Sequence, residues 1–229
     1  MTAAAIAIAF ESPAAFDAVS IKPSRLATTN SLSRFEPGRF SATNLPLKAL
    51  IQVAWGVKDF ELSGASGWIE SVPWDVTARW SGNPNLPQSD VKPMIQKMLM
   101  DRFQLQTHRE TKEAPIYSLV PAKNGPKLKP TAGGPGPAWG LGPGHLDAKV
   151  VSLSLFASAL EQQLDRPVRD NTAIAGNYDI KLEWAKDASD TTAPSLFTAI
   201  QEQLGLRLES ARGPVSMLVI DSAAHPSPN

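Results

Sequence analysis

Apolar and polar residues alternate along the 229-residue chain in two rhythms, one of period two and one of three to four. Residues 16–21 (FDAVSI) alternate as a half-buried strand does, and Pro23 ends the run because proline cannot continue a central ladder. A Ser/Thr/Asn-rich stretch over 25–38 reads as an exposed loop, and 39–44 (RFSATN) as a short strand. Leu47, Leu50, Ile51 and Ala54 then fall on one stripe, which predicts a helix opening near Asn44 or Leu45, with Pro46 in its first turn and Gly56 as its C-cap. Beyond a short strand at 60–62 and a Gly/Ser turn at 63–67, residues 74–80 (WDVTARW) set Trp74, Val76, Ala78 and Trp80 on one strand face. Asp90 is the expected cap of a second helix over 91–102, striped by Val91, Met94, Ile95, Met98 and Leu99. Residues 103–108 and 115–120 alternate again, and the charged stretch 109–113 between them predicts a hairpin.

The pattern then pauses and repeats. Residues 124–144 are dominated by Pro and Gly, carry almost no periodic apolar residues and read as a linker. After it, 146–150 matches the strand at 40–44, and Leu153, Phe156, Ala157 and Leu160 repeat the first helical stripe. Residues 178–184 (YDIKLEW) lie over WDVTARW almost position for position. A helix striped by Leu196, Ala199 and Ile200 and a last strand at 215–220 (VSMLVI) complete the second copy, while FDAVSI has no counterpart after the linker. Agreement in element order, stripe phase and one near-identical strand signals duplication. The expected fold is α+β: two repeated split-βαβ-like modules, each a small, mostly antiparallel sheet with two helices on one face. The expected boundaries are 1–15 for a signal-peptide remnant or flexible N-terminus, 16–123 for the first module, 124–144 for the linker and 145–229 for the second module.

Composition narrows the function more than it names it. Hydrophobic residues make up 42% of the chain, enough for a sizeable core. Lys+Arg and Asp+Glu both number 22 and are interspersed, which argues against nucleic acid, whose binders carry a basic excess to neutralise phosphates. There is no cysteine, so disulfides and thiolate chemistry are excluded. The N-terminal apolar run AAAIAIAF (residues 3–10) reads either as the tail of a signal peptide or as a first strand or loose terminus, since the basic n-region is missing. No segment approaches the length of a membrane span.

The usual catalytic signatures are missing. His108, His145 and His225 are too widely spaced for a zinc site built on one helix, and Gly64-Ala65-Ser66-Gly67 lacks the spacing of a nucleophile elbow. The glycines at 140–144 have neither the third glycine nor the helix of a dinucleotide loop, so no cofactor and no metal is expected. Asp75 and Asp179 occupy matching repeat positions and read as exposed or turn-fixing carboxylates, and Asp170 as the start of an Asx turn. Of the six tryptophans, Trp74, Trp80 and Trp184 fall on apolar strand faces and Trp55 ends a helix, which leaves the loop residues Trp68 and Trp139 as candidates for stacking on a ligand. His108 and Asp170 complete the candidate ligand-binding set.

The motifs SIKPS (20–24), PGRF (37–40), DRFQLQTHRETKEAPIYSLV (101–120), GPKL (125–128), PVRDNTAIAGNYDIKLEW (167–184) and EQLGLRLE (202–209) resemble those of a soil-associated bacterial protein family of uncharacterised function. The likeness covers nearly the whole chain, from about residue 16 onward. It implies export, and in some members a fusion to antirepressor-type membrane metallopeptidases and hence a sensing role. It implies no catalytic residues. Ala173 stands where the family tends to have Gly. The module order is also similar, at the level of fold alone, to small N-terminal domains of secretins and TonB-dependent receptors. The leading expectation is an extracytoplasmic binding or sensor domain for a small molecule or an envelope protein. The alternatives are a secreted hydrolase assembled from distant residues such as His108, Asp170 and Asp179, and a self-associating envelope protein joined through the strand edge at 215–220.

Overall fold

A computed structural model describes residues 15–25, 31–187 and 189–226, so the apolar run at 3–10 lies outside the described residues. Twelve strands and five α-helices run in the order β1 (Ala18–Pro23), β2 (Leu32–Glu36), β3 (Arg39–Pro46), α1 (Leu47–Trp55), β4 (Leu62–Ser63), α2 (Trp68–Ser71), β5 (Pro73–Arg79), α3 (Gln88–Phe103), β6 (Gln106–Pro121), β7 (Lys129–Pro130), β8 (Ala138–Gly142), β9 (His145–Val151), α4 (Leu153–Leu160), β10 (Val168–Asp170), β11 (Tyr178–Glu183), α5 (Leu196–Leu204) and β12 (Leu206–Ser222), counted among the described residues. The strands form three sheets, ordered β1-β5-β3-β2, β10-β6-β12-β4 and β7-β11-β9-β8. The fold is α+β, as the alternation of periods predicts. Among the described residues no helix is long and apolar enough to cross a membrane.

The helices form where the stripes place them. Leu47, Leu50, Ile51 and Ala54 of α1 are buried, and Gly56 ends it in the left-handed conformation. The starts fall elsewhere than expected: Pro46 and Pro87 are the N-caps of α1 and α3, and Asp90 sits inside the first turn of α3, where a carboxylate favours the positive end of the helix dipole. In α4 and α5 the caps are Ser152 and Ser195, each accepting a backbone N–H at 3.2 Å.

The chain forms two compact units, residues 1–110 with 216–229, and residues 111–215. Both divisions fall inside a long strand, one within β6 and one within β12. The hairpin expected over 103–120 is therefore absent: β6 runs unbroken for 16 residues and its copy β12 for 17. The charged stretch 109–113 continues the strand, since it holds none of the glycines or asparagines that a tight turn needs. Each unit thus takes the end of the other repeat's last strand. In the first unit β4 pairs in parallel with β12, Leu62 opposite Leu218, and Leu218 and Ile220 enter its core. In the second, β10 pairs in parallel with β6, Val168 opposite Tyr117, and Leu119 enters its core. The segment 215–220 has β6 on one side and β4 on the other, so it is not the free edge that self-association was expected to use.

The duplication reaches further than the sequence suggests. Residues 138–142, within the stretch read as linker, pair with β9, and Lys129–Pro130 pairs with β11. Lys22 and Pro23 oppose Asp75 and Trp74 just as Lys129 and Pro130 oppose Asp179 and Tyr178. The leading strand FDAVSI therefore has a counterpart after all, in two residues of the Pro/Gly-rich stretch. Within the central strands β3 and β9 the chain bulges at a residue with φ 56°, Asn44 in the first unit and Val150 in the second.

Candidate functional site

Helices and core cover one side of the sheet β1-β5-β3-β2: Phe40, Ala42, Trp74, Val76 and Ala78 point into the core with Leu50, Ile51, Ile95 and Leu99. Side chains alternate along a strand, so the residues between them form the other face. On that face lies a groove of about 580 Å³ whose lining includes Arg34, Glu36, Arg39, Ser41, Thr43 and Thr77. A second hollow, of about 650 Å³ and lined by Lys22, Pro23, Arg25 and Asp75, shares Asp75 with the first.

The electrostatics of this face follow from register. Arg39 stands directly opposite Arg79, and Ser41 opposite Thr77. Like charges in directly opposed positions destabilise a sheet. Glu36, the carboxylate paired with Arg39, is 3.8 Å from its Nε, beyond hydrogen-bond reach, and that Nε is buried without an acceptor. Asp75 is engaged structurally: its Oδ1 accepts the Asn44 N–H at 2.9 Å and holds the bulge.

The sheet β7-β11-β9-β8 repeats this frame with different chemistry. His145 opposes Glu183 and Asp147 opposes Lys181, so no like charges face each other across these strands. Asp179 again holds the bulge, accepting the Val150 N–H at 3.2 Å. The Thr131 hydroxyl, with that backbone N–H second, holds the Asp179 carboxyl below the usual carboxylate range. The two aspartates, expected to be exposed or turn-fixing, each fix a strand bulge by a backbone hydrogen bond.

The expected ligand-binding residues lie elsewhere. Trp68 opens α2 and stacks against His225 at 4.1 Å between ring centroids, with Phe103 at 6.4 Å. His108 lies on β6 and meets Asp221 of β12 at 2.8 Å, with both side chains about half exposed. In the first unit no hydrogen bond, ion pair or ring contact joins Trp68 to His108. Trp139, 40% exposed, lies on the edge strand β8 opposite Ala148. Asp170 forms the expected Asx turn, accepting from the Thr172 N–H at 3.0 Å and its hydroxyl at 2.7 Å. Nothing joins Asp170 to Trp139. Of the dispersed set His108, Asp170 and Asp179, each carries its own local partner, and among the described residues no Ser or Thr hydroxyl bonds the His108–Asp221 pair. Among the described residues no three His, Asp or Glu side chains gather closely enough to hold a metal ion.

Two other features stand out in the second unit. Tyr117 donates to Asp165 at 3.2 Å, carries Arg166 over its half-buried ring and meets Phe197 edge-on. Burial first, and the Asp165 carboxylate second, push the Tyr117 phenol up. A hollow of about 430 Å³ lies beside Lys123, Lys127 and Arg207, and Lys127 is already engaged, donating to the Glu202 carbonyl at 2.8 Å. The sheet face with the opposed arginines is the best-formed candidate. Sequence reasoning passed over it because each of its residues, taken alone, is an ordinary solvated strand position; the signal is the cross-strand register.

No curated protein and no solved structure matches this chain. A family model described as protein of unknown function (DUF3738) matches residues 48–223, and the chain belongs to that family.

Proposed function

We propose that this DUF3738 member is a non-enzymatic, extracytoplasmic binding domain whose ligand lies on the open face of the sheet β1-β5-β3-β2. The observation that carries the reading is the groove of about 580 Å³ on a sheet face that no helix covers among the described residues. A rigid sheet is a better platform for recognition than a loop, because its neighbours lock the rotamers of its outward side chains. The duplicated frame without the opposed arginines is a structural copy. Location outside the cytoplasm is supported by the apolar run at 3–10 and by the resemblance to exported proteins; phosphatase activity of a full-chain fusion to a phosphatase that folds only outside the cytoplasm checks it, and an inactive fusion counts against it.

The experiment for the site is an array of glycans, peptides and small acids screened with the full chain. Retained ligands are lost on Thr77→Trp, which fills the groove, and kept on Gly140→Trp, at the place on the second sheet that matches Arg34. Multiple-turnover cleavage of any retained ligand contradicts the non-enzymatic reading, and loss on Gly140→Trp alone moves the site.

The His108–Asp221 pair at 2.8 Å is the observation that favours a hydrolase. It supplies a base and an orienting carboxylate but no nucleophile. His108→Ala leaving ligand binding intact is the result expected here.

A further inference from the structure

We infer that the ligand of this face is an acidic oligosaccharide, its carboxylates held by Arg34, Arg39 and Arg79 and its hydroxyls by Ser41, Thr43 and Thr77. The inference rests on the reading of that face as the binding surface and adds the chemistry of what binds there.

The first argument is an unneeded repulsion. Arg39 and Arg79 oppose each other in register, and the second sheet shows that the same frame is built without such a pair, with His145 and Glu183 at the matching positions. The cations also outnumber the acids. Lys22, Arg34, Arg39 and Arg79 share the first face with Glu36 and Asp75, and Asp75 is already committed to the bulge at Asn44. On the second face three cations, Lys129, Lys149 and Lys181, meet three carboxylates, Asp147, Asp179 and Glu183. An anion between Arg39 and Arg79 would remove the repulsion.

The second argument is the kind of anion. A guanidinium presents a planar fork of donors that matches a carboxylate in two parallel hydrogen bonds. Between the arginines stand short hydroxyls, which both donate and accept and so suit a ligand rich in hydroxyls. Glu36 adds an acceptor for a sugar hydroxyl. Among the described residues no Phe, Tyr or Trp lines the groove, so a nucleobase finds nothing there to stack on. The groove is open rather than enclosed, and the hollow at Lys22 and Arg25 continues past Asp75, which suits a chain of several sugars better than one small acid.

Calorimetric titration of the full chain with oligogalacturonate of defined length tests this, beside a neutral galactose oligomer and a sulfated dextran. The expected result is oligogalacturonate binding that weakens as salt rises and falls at least tenfold in the double variant Arg39→Gln, Arg79→Gln. Melting temperature reports folding of that variant. The control double variant Lys149→Gln, Lys181→Gln binds as the parent does. Absence of oligogalacturonate binding, or equal binding by the arginine variant, overturns the inference. Binding of the neutral oligomer or the sulfated dextran instead, lost on Thr77→Trp, also overturns the ligand class but leaves the surface in place. Oligogalacturonate binding lost only in the lysine variant overturns both.

Discussion

The two sheets β1-β5-β3-β2 and β7-β11-β9-β8 share strand order, register and a bulge pinned by an aspartate, yet one open face carries an excess of cations and the other is balanced. Facing positions are Arg39 and Arg79 in one, His145 and Glu183 in the other. Duplication supplies an internal control here. Whatever both copies keep is demanded by the fold: the buried stripes, the bulge, the Lys-Pro pair opposite Asp75 and Asp179. What only one copy carries, and carries against its own stability, needs another explanation. The same comparison sorts the backbone. At the matching bulges the first copy places Asn44, which tolerates φ 56°, while the second forces Val150 into it. At the turn after β4 the first has Gly67 at φ 58°, where the second has Ala173 at φ 56° after β10.

The strongest way to break the comparison is at the helix ends. α3 ends on Gln104 at φ 49°, whereas α5 ends on Gly205 at φ 62°, where an added Cβ would lie 2.1 Å from the Gly125 carbonyl oxygen. Gly205→Ala is expected to cost about 3 kcal/mol, from left-handed strain plus that clash, and Gln104→Ala almost nothing. Urea denaturation of both variants checks it, and equal effects would show that the two ends are not differently crowded. At the bulges, Val150→Asn copies the first unit into the second and is expected to stabilise by about 1 kcal/mol, read as a raised melting temperature. A destabilised variant would mean that the Val150 side chain contributes more by packing than its backbone loses.

A smaller effect follows at the opposed charges. Arg79→Glu copies the second sheet's pattern and is expected to stabilise the chain by about 0.5 kcal/mol while weakening its hold on acidic ligand, so stability and binding move in opposite directions. A variant that loses both would make Arg79 structural. The smallest effect concerns acid. The lowered Asp179 carboxyl contributes stability that is present above the ordinary carboxylate pKa and lost as pH falls through its lower folded value. Asp179→Asn, or Thr131→Val, which removes the largest cause, should therefore flatten the fall of melting temperature below about pH 4. An unchanged acid slope would assign that fall to other carboxylates.

Much of the fold was legible because it is local. The stripes of α1, α3, α4 and α5 and the strands WDVTARW and YDIKLEW announce themselves within a few turns, and the buried Trp74, Trp80 and Trp184 sit where alternation places them. What failed is non-local. The β6 strand reads as a hairpin because a charged stretch looks like a turn until its partner strand is known. The two-residue strand Lys129–Pro130 has no period to detect and is defined only by pairing. The candidate groove was hidden for the same reason: Arg39 and Arg79 are forty residues apart, and only register brings them face to face. Trp68 and Trp139 stood out by residue type, which carries no information about which sheet face is open.

Amide hydrogen exchange of the full chain with saturating oligogalacturonate tests the division of labour between the two sheets most directly. Slower exchange in β2, β3 and β5, with β8, β9 and β11 unchanged, is the result expected. Equal protection of both sheets, or protection confined to the second, would contradict it.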